Sequence, residues 1–438
     1  MGTSHNRQLS RRTVLGGTAA LIGGLAGCSG GGNGNGDGGN SIEYWSIHNS
    51  EERRSAIEPT IEAFEDESDV EVETNFVDNN DIGTQLQSAI ASDSLPDTAL
   101  LAVQDIQRLG NDGSVSTESA TEVVEELGED DFRDATLDFV SDPDGGYYAV
   151  PSTSWVQGVW YRKSAFEEEG LDDPLTWDAI LEAAETFHDP DNDTYGMGFG
   201  TQQDAYARQC FTQMARANGG LVVNADGEVV FDEPEIVETL SFVQDLSEYT
   251  PGAITFDDTR QLYENEEIHM TLWSTNILRH ILNNVGEDMA NDTGFASYME
   301  NTRQSTYGQV LGHPIFNSSE AKRESAQDLV EHVTSGDAYI AWAHSAPGGM
   351  VPARQSVTET EEYQDHEILS AWGDTISQFT SAMDNMERFD LVDGTQVPEF
   401  GDIASAALVE GAVNRVAVQG DDPETVAQEQ ADEMRNVI

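Results

Sequence analysis

From residue 41 onward the chain alternates short strand-like runs with amphipathic helical stretches. Ile42-Glu43-Tyr44-Trp45-Ser46-Ile47 has the period of a strand. Ala56 to Glu67 places its apolar residues at helical spacing, Val70 to Phe76 alternates again, and Ile82–Ala91 returns to the helical period. Pro96-Asp97 then leads into a third strand through Thr98, Ala99, Leu100 and Leu101. Strand–helix–strand–helix–strand at this spacing predicts a parallel α/β sheet. Ligands of such sheets sit at the carboxyl ends of the strands. That singles out Trp45, His48 and Asn49 after the first strand, and Gln104 and Asp105 after the third.

The middle of the chain keeps the same punctuation. Tyr147 to Val150 is a short strand that Pro151 stops, Val156 to Tyr161 is a second, and the polar turn between them carries Trp155. Ser164 opens a helix with acid in its first turn and Gly170 ends it. A helix over Thr176–Phe187 is followed by the Asp-rich turn Asp189–Gly196. That turn lacks the glycine and the closing glutamate of a calcium loop, so no metal is assigned to it. A strand over Tyr195–Phe199, helices over Gln202–Ala217 and Ile236–Tyr249, and strands at 268–276 and 308–317 come next. Helices at Ala321–Thr334, Asp337–His344 and Pro423–Met434 complete the pattern, with a break at Val397-Pro398.

Charge changes the picture. The 438 residues carry 82 acidic against 20 basic side chains, and only Lys163 and Lys322 are lysine. A surface this acidic repels nucleic acid and anionic membrane, which excludes a DNA- or RNA-binding role. The carboxylates are spread along the whole chain, a distribution that fits a protein working in concentrated salt, where the Debye length falls to ~3 Å. Depletion of lysine resembles the usage of halophilic archaea.

The first forty residues read as processing signal rather than fold. Arg11-Arg12 precedes an apolar segment, Val14 to Leu25, that is too short for a comfortable membrane span. The twin arginine points to Tat export. Leu25-Ala26-Gly27-Cys28 is similar to a lipobox, with Cys28 as the lipidated residue, and residues 29–40 are a Gly/Asn-rich tether. With Cys28 used in this way, Cys210 has no disulfide partner, and its helical run makes it a small buried apolar residue.

Several motifs, loose one by one but in the right order, carry a family resemblance. Tyr148-Ala149-Val150-Pro151, Tyr161-Arg162-Lys163, Thr176-Trp177-Asp178, Asn218-Gly219-Gly220 and Gly348-Gly349 with Pro352 resemble family 1 extracellular solute-binding proteins, the maltose-binding-protein-like receptors of ABC importers. The resemblance covers nearly everything from Ile42 onward. It implies a two-lobed periplasmic-binding-protein-like α/β fold, each lobe a mixed sheet flanked by helices. Lobe 1 would take residues 41–150 and 294–340, and lobe 2 residues 151–293 and 341–438. Hinge strands would lie near Tyr148–Pro151 and Gly294–Thr306. It also implies ligand contacts from Gln202 and Tyr206, from Trp273 and Asn276, and from the loop of Gly348, Gly349 and Met350. Asn276 stands where relatives carry a stacking Trp, and Trp273 comes three residues early.

Sugars are held by aromatic faces and by carboxylate and amide side chains. Trp45, Trp155, Trp273, Trp342 and Trp372 fall at turns or element ends where they could serve, although the helical run Ala338–Ala343 could equally bury Trp342. The expected protein is a non-catalytic, cofactor-free, monomeric lipoprotein on the outer face of the membrane. It would deliver a mono- or oligosaccharide to a separate permease. A polyamine, a glycerol phosphoester, a peptide or a metal remain alternative solutes, and a secreted glycoside hydrolase is the rival from another class. Iron capture by Tyr147 and Tyr148 is disfavoured, because adjacent strand residues point to opposite faces. From residue 41 onward no nucleophile-elbow, zinc-protease or phosphate-loop pattern is present in the sequence.

Overall fold

The computed structural model describes residues 40–79 and 81–438; the expected signal, with Arg11, Arg12 and Cys28, and the tether through residue 39 lie outside the described residues. Three βα steps open the fold. Strand β1 (Ser41–Ser46) pairs in parallel with β2 (Glu71–Phe76) on one side and with β3 (Thr98–Ala102) on the other. Helices α1 (Glu51–Ser68), α2 (Ile82–Ser92) and α3 (Val103–Asn111) follow the three strands in turn. Ser50 caps α1 by accepting the Arg53 N–H, with Glu51 and Glu52 in the first turn where the helix dipole favours them.

Alternation along the strands covers both faces of this sheet. Ile42, Tyr44, Leu100 and Ala102 share one apolar cluster with Ile57, Ile61 and Phe64 of α1. Trp45, Ala99 and Leu101 belong to the other cluster, with Leu86 of α2 and Ile106 of α3. Trp342, Ala346 and Met350 complete the first cluster, and Ala353 packs with Val150 and Ile315. The stretch 341–353 therefore packs with elements of the expected first lobe rather than the second, because its apolar positions finish that face of the sheet.

Strand β4 (Val150–Arg162) organises the remainder. The expected pair of strands with a turn between them is one continuous strand, in which Ser152, Thr153 and Ser154 are buried. Pro151 lies at a register shift, where a missing N–H breaks no ladder bond. The first half of β4 pairs antiparallel with β9 (Gly308–His313), which continues to β3. The second half pairs antiparallel with β5 (Met270–Ser274) and β6 (Thr293–Ala296). The partner changes between Val156 and Gln157, some residues beyond the expected crossing at Pro151. A Cβ at Gly158 would overlap the Phe295 ring, so only glycine lets β6 close on β4 here. Strand β10 (Val351–Pro352) adds to the free edge of the first half.

On the return path β7 (Met299–Glu300) and β8 (Gln304–Ser305) form a hairpin, and a second hairpin joins β11 (Leu391–Val392) to β12 (Thr395–Gln396). The expected strand at 195–199 is reduced to single bridges from Tyr195 to Ile268 and from Gly198 to Thr271. Gly196 and Gly198 weaken it as a strand. The Asp-rich turn closes on itself, with Asn192 Nδ2 donating to Asp189 at 2.6 Å.

Candidate functional site

A cavity of about 940 Å3 opens at the carboxyl ends of β1 and β3. One wall carries His48 and Arg53, together with Gln104, Asp105 and Arg108 of α3. The opposite wall carries Arg208, Gln209 and Thr212 of the helix Ala205–Ala217, with Phe400 and its neighbours from 396–405. Asp204 caps that helix by accepting the N–H of Tyr206 and Ala207, which fixes where Arg208 emerges. Trp155, Tyr307, Gln309 and Arg388 line the cavity where β4 and β9 meet.

That last group is held by a continuous polar network. Arg388 Nε and Nη2 donate to Asp390 at 2.7 and 2.6 Å, and Nη1 donates to Gln309 at 2.7 Å, to Tyr307 at 3.1 Å and to the Gly308 carbonyl at 3.2 Å. Gln309 Nε2 in turn donates to Gln104 at 2.9 Å. Burial opposes the Arg388 charge, but Asp390 and Tyr307 outweigh it and its pKa is raised. The Trp155 and Tyr307 rings lie 5.9 Å apart, tilted by 52°. Asp105 accepts from Arg108 at 3.0 Å, although burial raises its carboxyl pKa. Burial, then Arg53, then His313 push the His48 pKa well down, so its imidazole is neutral. Amides are numerous: among the described residues six glutamines and three asparagines line the cavity, and neither a lysine nor a glutamate does.

His48, Gln104, Asp105, Trp155, Asn276, Gly349 and Met350 come together here. The other expected contacts lie elsewhere. Trp45 packs into the core under the sheet, its indole N–H donating to Glu43 at 2.6 Å. Trp273 is fully buried, stacked on Phe256 at 3.8 Å, and Tyr206 is buried with its hydroxyl donating to the Leu272 carbonyl at 2.6 Å. The Trp273 stack fills the core beneath β5, so that aromatic is packing rather than a ligand platform. Trp372 is buried in the same core, and Gln202 is exposed outside the cavity lining. Asn49 turns back to accept from Arg54, and Gly348 adjoins the lining without joining it. Cys210 is buried and accepts the Gly200 N–H, and burial pushes its thiol up to about 12, the opposite of an activated nucleophile.

Sequence reasoning missed Tyr307, Gln309, Arg388 and Arg208, which approach the cavity from segments far apart in the chain. The one local signal was basic charge itself, since arginine is scarce in this sequence.

A profile of bacterial extracellular solute-binding proteins matches residues 60–371. The chain belongs to that family. Among curated proteins it is 26% identical over 392 residues to YcjN of Escherichia coli K12, named for an ABC-transporter periplasmic-binding role, covering 89% of this chain and 90% of YcjN. A Thermotoga lettingae ABC transporter solute-binding protein bound with α-D-tagatose superposes with a TM-score of 0.72 at 21% identity, covering 91% of this chain and 99% of that one. Maltose-bound MalE3 of T. maritima superposes with a TM-score of 0.74 at 20% identity, covering 91% and 100%. The solute-binding protein thus has the two-lobed mixed α/β architecture of these neighbours. Members of this family bind solutes for transport, and the cavity suits that role. Its rings offer apolar faces, and its amides both donate to and accept from hydroxyls. Among the described residues no group of three or more His, Cys, Asp or Glu side chains is placed to hold a metal, and no helix is long and apolar enough to cross a membrane.

Proposed function

We propose that this solute-binding protein captures a carbohydrate or polyol in the cavity and hands it to an ABC permease without chemical change. The observation that carries this reading is the lining itself: nine amides with Trp155 and Tyr307 in a space of about 940 Å3, the chemistry that hydroxyl-rich rings need. The sugars bound by the tagatose and maltose complexes support it. One lobe takes β1–β3, β9 and the first half of β4, and the other takes β5, β6 and the second half. Closure occurs about the partner change at Val156–Gln157, and the solute favours the shut state by contacts it makes only there. Tat export through Arg11 and Arg12, lipidation at Cys28 and residence on the outer membrane face complete the proposal. The acidic surface adapts the protein to concentrated salt.

Thermal unfolding of the purified protein in concentrated potassium chloride tests the ligand class against saccharides, polyols, polyamines, peptides and metal salts. A solute at a hundred times its dissociation constant adds ~2.7 kcal/mol to stability. A shift with saccharides or polyols is expected; a shift confined to polyamines, peptides or metals would overturn the carbohydrate reading.

A further inference from the structure

Four arginines line the cavity, and three are neutralised in place. Arg108 pairs with Asp105 at 3.0 Å, Arg208 with Glu410 at 2.5 Å and Arg388 with Asp390 at 2.6 Å. Arg53 is different. Among the described residues no carboxylate lies within ion-pair distance of it, and its side-chain partners are two uncharged atoms, His48 Nε2 at 2.8 Å and Met350 Sδ. Both bonds leave from Nη1, so Nε and Nη2 have no protein acceptor among the described residues. Its chain neighbour Glu52 pairs with Arg279 instead. Among the four arginines of the lining, Arg53 is the exception in having no carboxylate partner. Such a charge is unfavourable to bury unpaired.

Beside Arg53 sits an unpartnered donor. With His48 Nε2 accepting from Arg53, the imidazole proton sits on Nδ1, which has no partner. Gly349 follows so closely on Asn276 that a Cβ there would overlap the amide, which sets Asn276 beside Met350 on the same wall. Burial and then the nearby Arg279 push the Arg53 pKa down to about 10, against a smaller opposing pull from Glu52.

We infer that the solute taken by this cleft is acidic: a polyhydroxylated molecule bearing a carboxylate or a phosphate that pairs with the Arg53 guanidinium. This rests on the carbohydrate reading above and narrows it. The neutral amide and aromatic lining holds the hydroxyls, while Arg53 supplies the one lining guanidinium that, among the described residues, has no carboxylate partner.

Calorimetric titration of the purified protein with glucose and galactose, with glucuronate and galacturonate, and with glucose 6-phosphate and glycerol 3-phosphate tests it. An acidic solute is expected to bind about ten- to a hundredfold more tightly than its neutral counterpart. The uronate and phosphate arms tell the carboxylate from the phosphate. Arg53→Gln is expected to cut that acid-to-neutral ratio about tenfold or more, and Arg53→Lys to keep most of it. Neutral sugars binding as tightly as the acids, or a ratio unmoved by Arg53→Gln, would overturn the inference and leave the carbohydrate reading intact. Silence from all six solutes, beside a thermal shift confined to polyamines, peptides or metals, would overturn the carbohydrate reading itself. The wild-type ratio alone decides the matter if the Gln variant does not fold.

Discussion

The cavity and the outer surface obey different charge rules. Over the whole chain acids outnumber bases 82 to 20. Around the cavity the tally is four arginines to four aspartates, with Asp105 and Asp390 paired internally and Asp112 and Asp402 the other two. The surface carboxylates act through solvation and are screened by salt, whereas the cavity pairs are short and directional, and the Arg388–Asp390 pair is shielded from water. A protein adapted to strong salt can flood its surface with acid because screening makes each charge nearly inert. The cavity has no such freedom, since every buried charge there needs a partner or a ligand.

Breaking the cavity side of this contrast has the largest expected effect. Asp390→Ala leaves the Arg388 guanidinium buried without its carboxylate and is expected to lower stability by about 3–5 kcal/mol, read by urea unfolding. A change below ~1 kcal/mol would show that the pair at the strand crossing is dispensable. The two tryptophans sharpen the difference between core and site. Trp273→Ala empties the stack on Phe256 and is expected to lose about 3–5 kcal/mol of stability. Trp155→Ala, half-buried at the cavity, is expected to change stability by about 1 kcal/mol or less while weakening solute binding roughly tenfold. Equal stability losses for both would erase the distinction drawn between packing and platform.

Acid probes the same contrast through histidine. His313 is buried against Tyr44 and Trp342, and burial pushes its pKa down from 6.5 to about 3. The folded value lies below the unfolded one, so the unfolded chain binds the extra proton. Stability is therefore complete above about pH 6.5 and falls as pH drops from there towards 3, by ~1.4 kcal/mol per unit for this one site. His48 is depressed in the same direction. Denaturant midpoints across that window are expected to fall more gently for His313→Gln than for wild type; parallel slopes would remove His313 from the account. The smallest effect belongs to the surface. Glu125→Gln with Glu126→Gln, in the acidic patch beside Glu324 and Asp328, is expected to stay within about 0.5 kcal/mol in concentrated salt. A larger loss there would mean that surface carboxylates have specific partners.

Much of this was legible in the chain. The opening βαβαβ pattern followed from periodicity, because residues 42–101 alternate or repeat with no ambiguity of period. His48, Gln104 and Asp105 were legible as cavity residues because strand ends place them there whatever the rest of the fold does. Trp45 and Trp273 were not, because a tryptophan at a strand end serves a core or a ligand equally well until its neighbours are known. Ser152–Ser154 read as a turn for lack of apolar residues, yet burial between β9 and β10 makes it strand.

By itself, the sequence determined the α/β class, the order of the first elements, the extreme surface charge and the family. These depend on local period, composition and motif order, which any window of the chain displays. Only the tertiary structure decided which side chains share the cavity. Arg53 lies hundreds of residues before Tyr307 and Arg388, and nothing local beyond the scarcity of arginine marks them. Whether a guanidinium has a carboxylate to pair with is a property of three-dimensional neighbours, not of the residues beside it in the chain.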